Sequence, residues 1–281
     1  MPELPEVEVL RRSLEPHLVG DRIESLWVGP ARLREAVDET RLRRRVRGRR
    51  VVGLRRRAKY LWIDLEADES VRGQHATLVV HLGMSGRLLL VPVDTPREKH
   101  EHVSFALASG RRLRFVDPRR FGLVFALRAD ELAGDRHFAH LGAEPLSQDW
   151  TGEVLQAAAR GRRGPVKAFL MDARVVVGVG NIYASEALFR AGIHPKRSVA
   201  RLALARWRRL AEAVQEVLAR AIDQGGTTLN DFADGEGNSG YFQVALAVYG
   251  REGGRCPRCD GTVRRIVQTG RSTFYCPGCQ R

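Results

Sequence analysis

The 281-residue sequence has no run of 18 or more apolar residues. Its apolar stretches, such as 77–80 and 175–177, are strand-sized and broken by charge, so none is long enough to cross a bilayer as a helix. Repeats and low-complexity tracts are missing and apolar content is an ordinary 43%, which excludes collagen, coiled-coil and disordered readings. Lysine is scarce. Only Lys59, Lys99, Lys167 and Lys196 occur among 47 basic residues, which leaves 43 arginines. The four surviving lysines therefore mark places where chemistry wants a compact primary amine and not a planar fork. Cysteine is absent from the first 255 residues. The opening MPELPEVEV is acidic and proline-rich, the wrong chemistry for a secretory or organelle-targeting segment, so a cytosolic protein and no membrane partner are expected.

What is present is positive charge. Against 47 basic residues stand 33 acidic ones, for a formal net charge of +14. Such an excess implies a polyanionic partner, of which nucleic acid is the commonest, although an arginine-rich proteome gives the same balance without functional meaning. Residues 41–57 hold ten arginines and no acid. That run reads either as a solvated strand face or as a groove wall for phosphates.

All four cysteines fall in the last 26 residues, as Cys256-Pro-Arg-Cys259 and Cys276-Pro-Gly-Cys279. Two C-x-x-C knuckles sixteen residues apart place four thiolates around one tetrahedral ion, joined by a hairpin with strands near 262–267 and 272–275 and a turn at 268–271. One structural zinc ion per chain is expected, because four Cys positions leave no open coordination site. A segment this short has little core of its own, so the metal supplies much of its folding energy.

Leu4, Val7, Leu10, Leu14 and Leu18 recur at spacings of three and four, which predicts an amphipathic helix over 4–18, with Pro5 in its first turn and Glu6 and Glu8 at the positive end of its dipole. From Asp21 to about Phe125 the texture is β, with short runs at 51–54, 60–65, 77–82, 87–91, 103–107 and 113–115 at the spacing of a sandwich or barrel. Residues 130–147 form a polar connection. Beyond Gly152 the helical period returns, most clearly in Leu210, Val214, Val217, Leu218, Ala221 and Ile222, capped at Gly225-Gly226. Residues 225–240 are glycine-rich with few apolar anchors, and a mobile loop is expected there.

Several residues could do chemistry. Initiator Met is normally removed before a small residue, which would leave a secondary amine at Pro2, with Glu3 beside it as an acid or base. A terminal amine of pKa ~8 is partly neutral at pH 7 and can attack an aldehydic carbon to give an iminium. Taken alone, Pro-Glu at an N-terminus is far more often a helix start than a catalyst. Lys59, at the entry of an apolar strand, is a second amine or a snorkelling side chain. Asn181 follows two glycines as a candidate N-cap at a phosphate-binding helix start, or as an ordinary cap. Met84 in HLGMSG and Phe121 in DPRRFG sit in turns beside glycine, suited to insertion between bases or to core packing.

Taken together, the segments resemble the formamidopyrimidine-DNA glycosylases, bacterial bifunctional enzymes that remove oxidised purines. The resemblance runs the length of the chain through PELPEVE, RRAKYL (56–61), HLGMSG (81–86), EKHEH (98–102), DPRRFG (117–122), LMD (170–172), VVGVGNIYASEALFRAGIHP (176–195), QGGTTLNDF (224–232) and TFYCPGCQR. It implies an α+β fold: an N-terminal β-sandwich with flanking helices over 1–134, a linker at 135–150, a helical domain with a helix–two-turns–helix motif over 151–245, and a four-cysteine zinc hairpin over 246–281. It further implies Pro2 as nucleophile, Glu3 as proton donor and acceptor, Lys59 in β-elimination and Arg271 in δ-elimination. Met84, Arg119 and Phe121 would fill the void of a flipped base. His100, Arg119 and Arg163 would contact DNA, Lys167 and Asn181 would contact phosphates, and the loop at 226–240 would close over the extruded base. Arg163 stands where the family often has Lys. The resemblance also implies, as partner, duplex DNA carrying oxidised purines or abasic sites, met by a monomer in the bacterial cytoplasm at the nucleoid.

Two alternatives differ in class or substrate. The sister family, endonuclease VIII, prefers oxidised pyrimidines, but it carries Gly at the Leu4 position and takes its wedge from a single loop. A non-enzymatic zinc-hairpin binder of damaged DNA would need the basic surface and the metal, and would tolerate a blocked N-terminus.

Overall fold

The structure, a computed structural model, describes residues 2–68, 74–225 and 246–281. The expected base-closing loop at 226–240 lies outside the described residues. The chain divides into two compact units, with a boundary between Ala139 and His140.

The first unit opens with α1 (Leu4–Leu18) and continues through β1 (Ile23–Val28), α2 (Glu39–Val46), β2 (Val51–Arg57), β3 (Tyr60–Asp68), β4 (Gln74–His81), β5 (Arg87–Pro92), β6 (Glu101–Leu107), β7 (Arg111–Val116) and β8 (Leu123–Arg128). The strands form two antiparallel four-stranded sheets, ordered β1-β6-β7-β5 and β2-β3-β4-β8. Alternation decides which side chains go inward. Leu61, Ile63 and Leu65 of β3 join Leu78 and Val80 of β4, Leu88 and Leu90 of β5, and Phe105 and Phe115 of β6 and β7 in one sandwich core. The apolar stripe of α1 closes it: Leu4, Val7, Leu10, Leu14 and Leu18 are at most 4% exposed. Each fully buried side chain of this kind contributes about 1.5–3 kcal/mol.

Residues 39–46 correct the all-β reading of this region. Asp38 accepts the Arg41 N–H at 2.9 Å as an N-cap, and Leu42 and Val46, one turn apart, bury the inner face of α2. The arginine run is accordingly no continuous strand face. Arg43 pairs with Glu39, Arg45 with Glu131, Arg50 with Glu66, Arg55 with Asp64 and Arg56 with Glu8. Arg47 and Arg49 donate to the Glu24 and Glu66 carbonyls. Much of the run's charge is therefore matched within its own unit.

The second unit holds α3 (Gly152–Ala158), α4 (Val166–Leu170), α5 (Asn181–Ala191), α6 (Leu204–Asp223) and the hairpin of β9 (Arg264–Gln268) and β10 (Arg271–Tyr275). Trp207 and Leu210 of α6 are buried, and the Trp150 indole donates to the Ala211 carbonyl at 3.0 Å. The hairpin has its own small core, in which Phe189 of α5 packs with Val248, Val263 and Phe274. No helix among the described residues is long and apolar enough to cross a membrane.

Candidate active site and nucleic-acid interface

At the start of α1 the backbone is clamped. Glu3, buried and extended at φ −107°, donates its N–H to Glu6 Oε2 at 2.8 Å and accepts the Val7 N–H at 3.3 Å. Chain termini ordinarily fray. Here the peptide after half-buried Pro2 is held by a buried carboxylate that itself gains from the orphan N–H groups of the first turn. A nucleophile at Pro2 needs such a fixed footing.

Lys59 lies in the two-residue turn Ala58-Lys59 between β2 and β3, where Arg57 pairs with Tyr60, and not inside the strand itself. Ala58 adopts φ +56°, a left-handed conformation that disfavours an alanine by about 1–2 kcal/mol. Across the sheet Tyr60 pairs with His81, their rings 4.7 Å apart. His81 accepts the Gly83 N–H on Nδ1 at 3.0 Å. Burial, with the charges of Arg34 and Lys59 nearby, pulls His81 down to about 3, so it is a neutral acceptor at working pH. Sequence reasoning passed over it, though its place at the head of HLGMSG was visible.

The two turns that carry Met84 and Phe121 are built as one piece. Gly83 sits at φ +64°, and a Cβ there would lie 2.4 Å from the Phe121 carbonyl carbon, so only glycine permits the approach. Asp117, fully buried, joins them. Its carboxylate accepts Ser85 Oγ at 2.6 Å, the Arg119 N–H at 3.2 Å and the Gly122 N–H at 2.8 Å. Its backbone N–H donates to the His100 carbonyl at 3.0 Å, and its carbonyl is 2.9 Å from His102 Nε2. The turns that carry Met84, Arg119 and Phe121 thus meet at one carboxylate, and His100 is tied to the backbone of the same Asp117. Met84 is 39% and Phe121 40% exposed, and the Arg119 guanidinium lies 5.1 Å from the Phe121 ring. Large apolar tips presented on a rigid polar base are suited to fill space vacated in a base stack.

In the second unit Gly180 is the N-cap of α5 and Asn181 is its first residue, which corrects the N-cap assignment. The Asn181 side chain is otherwise engaged. Its Oδ1 accepts from Lys167 Nζ at 2.5 Å and its Nδ2 donates to the Ser272 carbonyl at 3.0 Å. Lys167, 2% exposed, also donates to Thr273 Oγ1 at 2.7 Å and lies 3.3 Å from the Ser272 carbonyl. Three acceptors meet the three donors of an ammonium, so Lys167 works inside the protein and offers no donor to a phosphate. This network holds β10 directly beside exposed Arg271. Arg163 stands on an exposed turn before α4, where its carbonyl accepts Ser198 Oγ at 2.8 Å.

Glu186, missed at the sequence level, accepts N–H groups from Ala247, Val248 and Tyr249 at 2.8, 2.9 and 2.8 Å, tying α5 to the chain that enters the hairpin. The four cysteine sulfurs lie within 4.8 Å of one another, with Cys256–Cys279 at 3.8 Å and Cys259–Cys276 at 3.4 Å. A tetrahedron with Zn–S bonds of about 2.3 Å has edges of about 3.8 Å, so the cluster fits one zinc ion. A Cβ on Gly278 would lie 3.2 Å from Cys259 Sγ, which keeps that knuckle open for the ion.

Residues 1–124 match the formamidopyrimidine-DNA glycosylase N-terminal domain, 141–233 its H2TH domain, and 253–281 the zinc finger found in FPG and IleRS. The chain belongs to the formamidopyrimidine-DNA glycosylase family. Proteins named formamidopyrimidine-DNA glycosylase from Stutzerimonas stutzeri and Xanthomonas campestris are each 50% identical to it over 281 residues, covering all of both chains. Among solved structures, a Lactococcus lactis FPG mutant bound to Fapy-dG DNA superposes at a TM-score of 0.89 with 32% identity over the full length of both chains. The Thermus thermophilus MutM (FPG) protein superposes at 0.84 with 40% identity, covering 99% of this chain and 98% of that one. The chain is thus a DNA glycosylase of base excision repair in a family of glycosylase/AP lyases, with one structural zinc.

Proposed function

We propose that the protein extrudes an oxidised purine from duplex DNA, excises it with Pro2, and nicks the strand by β,δ-elimination. The observation that carries this reading is the clamped N-terminus, where Glu6 fixes the peptide that follows Pro2. With Met1 removed, the Pro2 nitrogen attacks C1′, the C1′–base bond breaks, and its electron pair leaves with the base, which takes up a proton. Glu3 moves protons at the sugar. The opened sugar is held as an iminium, whose electron demand acidifies the C2′ hydrogen. Loss of that proton expels the 3′ phosphate with Lys59 assisting, and a second elimination, served by Arg271, expels the 5′ phosphate.

Met84, Arg119 and Phe121 fill the gap in the stack, while His100 and Arg163 contact the backbone and the start of α5 at Asn181, whose side chain is held inside the protein, meets a phosphate with its main chain. Lys167 holds Asn181 and the Arg271 strand in place. The Lactococcus lactis relatives are seen with Fapy-dG, abasic and oxidised-pyrimidine DNA. A monomer acting on DNA in the bacterial cytoplasm completes the reading.

The deciding experiment is borohydride trapping on a duplex with one 8-oxoguanine opposite cytosine, with mass mapping of the adduct. A crosslink on Pro2 is the expected result. An adduct formed only on an oxidised-pyrimidine duplex would place the specificity with endonuclease VIII, and tight binding with no adduct on either would leave a binder.

A further inference from the structure

The helix that starts at Glu3 and the turn that carries Lys59 are joined by one side chain. Arg56 of β2, only 10% exposed, places Nε 3.4 Å from Glu8 Oε2 and donates from Nη1 to the Ala58 carbonyl at 3.1 Å. Glu8, in the second turn of α1 and 12% exposed, also receives Arg11 Nη2 and Arg12 Nε, each at 3.0 Å. Burial alone would raise the Glu8 carboxyl. The bonds from Arg11 and Arg12 and the charges of Arg11 and Arg56 outweigh it, so the group lies below its ordinary value and stays ionised. The peptide whose carbonyl Arg56 grips is the one leading into Lys59, and its residue holds the left-handed φ of +56°. One guanidinium therefore spans from the helix that follows Pro2 and Glu3 to the strained peptide that leads into Lys59.

We propose that Arg56, anchored by Glu8, is a positioning residue for the elimination half of the reaction, setting Lys59 relative to the Pro2 amine. The inference rests on the reading of Pro2 and Lys59 given under Proposed function. Its chemistry requires arginine, because a planar fork reaches a carboxylate and a carbonyl at once and a lysine ammonium on a single stem does not. Arg55 beside it provides a contrast: its side chain is 56% exposed and pairs with Asp64 on the outer side.

The test compares Arg56→Met, Arg56→Lys and Glu8→Gln with Arg55→Met as control. Single-turnover excision of 8-oxoguanine and strand cleavage at a preformed abasic site are measured separately, alongside duplex affinity and thermal midpoint. In Arg56→Met, cleavage of the abasic duplex should slow on the order of tenfold to a hundredfold, because an ångström of misplacement suffices for that. Excision should slow less, so the borohydride-trappable Pro2 adduct should accumulate, a signature that a general loss of stability does not produce. Arg56→Lys should recover part of the rate. Glu8→Gln should act in the same direction, and the Arg56→Met, Glu8→Gln double variant should be no worse than Arg56→Met alone. Excision and elimination falling together, in proportion to lost folded protein, would overturn the inference, as would Arg56→Met behaving like Arg55→Met. Should Arg56→Met not fold, Glu8→Gln carries the same comparison. A wild-type chain that forms no Pro2 adduct overturns the underlying reading, whereas a trapping wild type with unsplit variants overturns the role of Arg56 alone.

Discussion

The wedge of the first unit and the hairpin of the second solve one problem by different means. Each presents exposed side chains on a base that does not yield. The wedge does so with a single buried carboxylate, Asp117, that gathers N–H and O–H donors from two loops. The hairpin does so with four sulfurs around an ion, aided by buried Lys167 beneath β10. A sandwich core stands directly behind the wedge, so hydrogen bonds suffice there. The hairpin has only a handful of apolar residues, and a metal must supply what packing does not.

Breaking the metal site should give the largest effect. Structural zinc contributes about 10–16 kcal/mol of binding free energy in isolated fingers, so Cys276→Ser should release the ion and abolish DNA binding. Zinc content and duplex affinity check this, while the thermal transition of the first unit should stay in place. Tight binding after zinc loss would remove the contrast drawn here.

Asp117→Ala comes next. It leaves the buried Gly122 N–H without its acceptor, at about 1–3 kcal/mol, while the Arg119 N–H keeps Ser85 Oγ at 3.2 Å but loses the carboxylate. Stability should fall by several times less than on zinc loss, and base excision should fall with it, because the wedge no longer arrives as a unit. Urea unfolding and single-turnover excision measure the two. Full excision activity in this variant would show that the wedge needs no hub.

A finer test separates two cations. Exposed Arg163 should count among phosphate contacts, and Arg163→Ala should lower the slope of log affinity against log salt by about 1. Lys167 is buried and its donors are occupied, so Lys167→Met should weaken binding through disorder at Asn181 and Arg271 while the slope changes little. Equal slope changes in the two variants would return Lys167 to the phosphates.

Much of this was legible in the sequence, and the exceptions have physical causes. The stripe of α1 and the two C-x-x-C knuckles are strictly local patterns, and both appear where spacing put them. Helix α2 was lost because arginine dominates residues 41–57, although the Asp38 cap with Leu42 and Val46 was there to be read. Asp117, His81 and Glu186 act through partners distant in sequence, as Glu186 does on residues 247–249. A one-dimensional pattern shows such a residue without showing what it holds. Lys167 is the sharpest example: an amine conspicuous by scarcity turned out to be buried, and its importance lies in what it supports.

The smallest effect concerns acid, and it is expected in both units. Among the described residues each holds one carboxyl pulled down to about 2: Glu131 in the first unit, by hydrogen bonds from Arg45 and then the Arg128 N–H, and Asp172 in the second, by Arg174 and then Arg162. A carboxyl lowered on folding adds stability above its unfolded value and loses it as pH falls toward the folded one. Both contributions are therefore complete above about pH 4.5 and fade between there and about pH 2. Both groups are partly solvated, so each effect is modest. Glu131→Gln should lower neutral-pH stability slightly and flatten the acid limb of the first unit, and Asp172→Asn should do the same for the second. Hydrogen exchange read separately on β8 and α4 across pH 5 to 2.5 resolves the units. If either substitution flattened both limbs together, the two units would be unfolding as one, and the separate means of rigidity described for wedge and hairpin would not be independent.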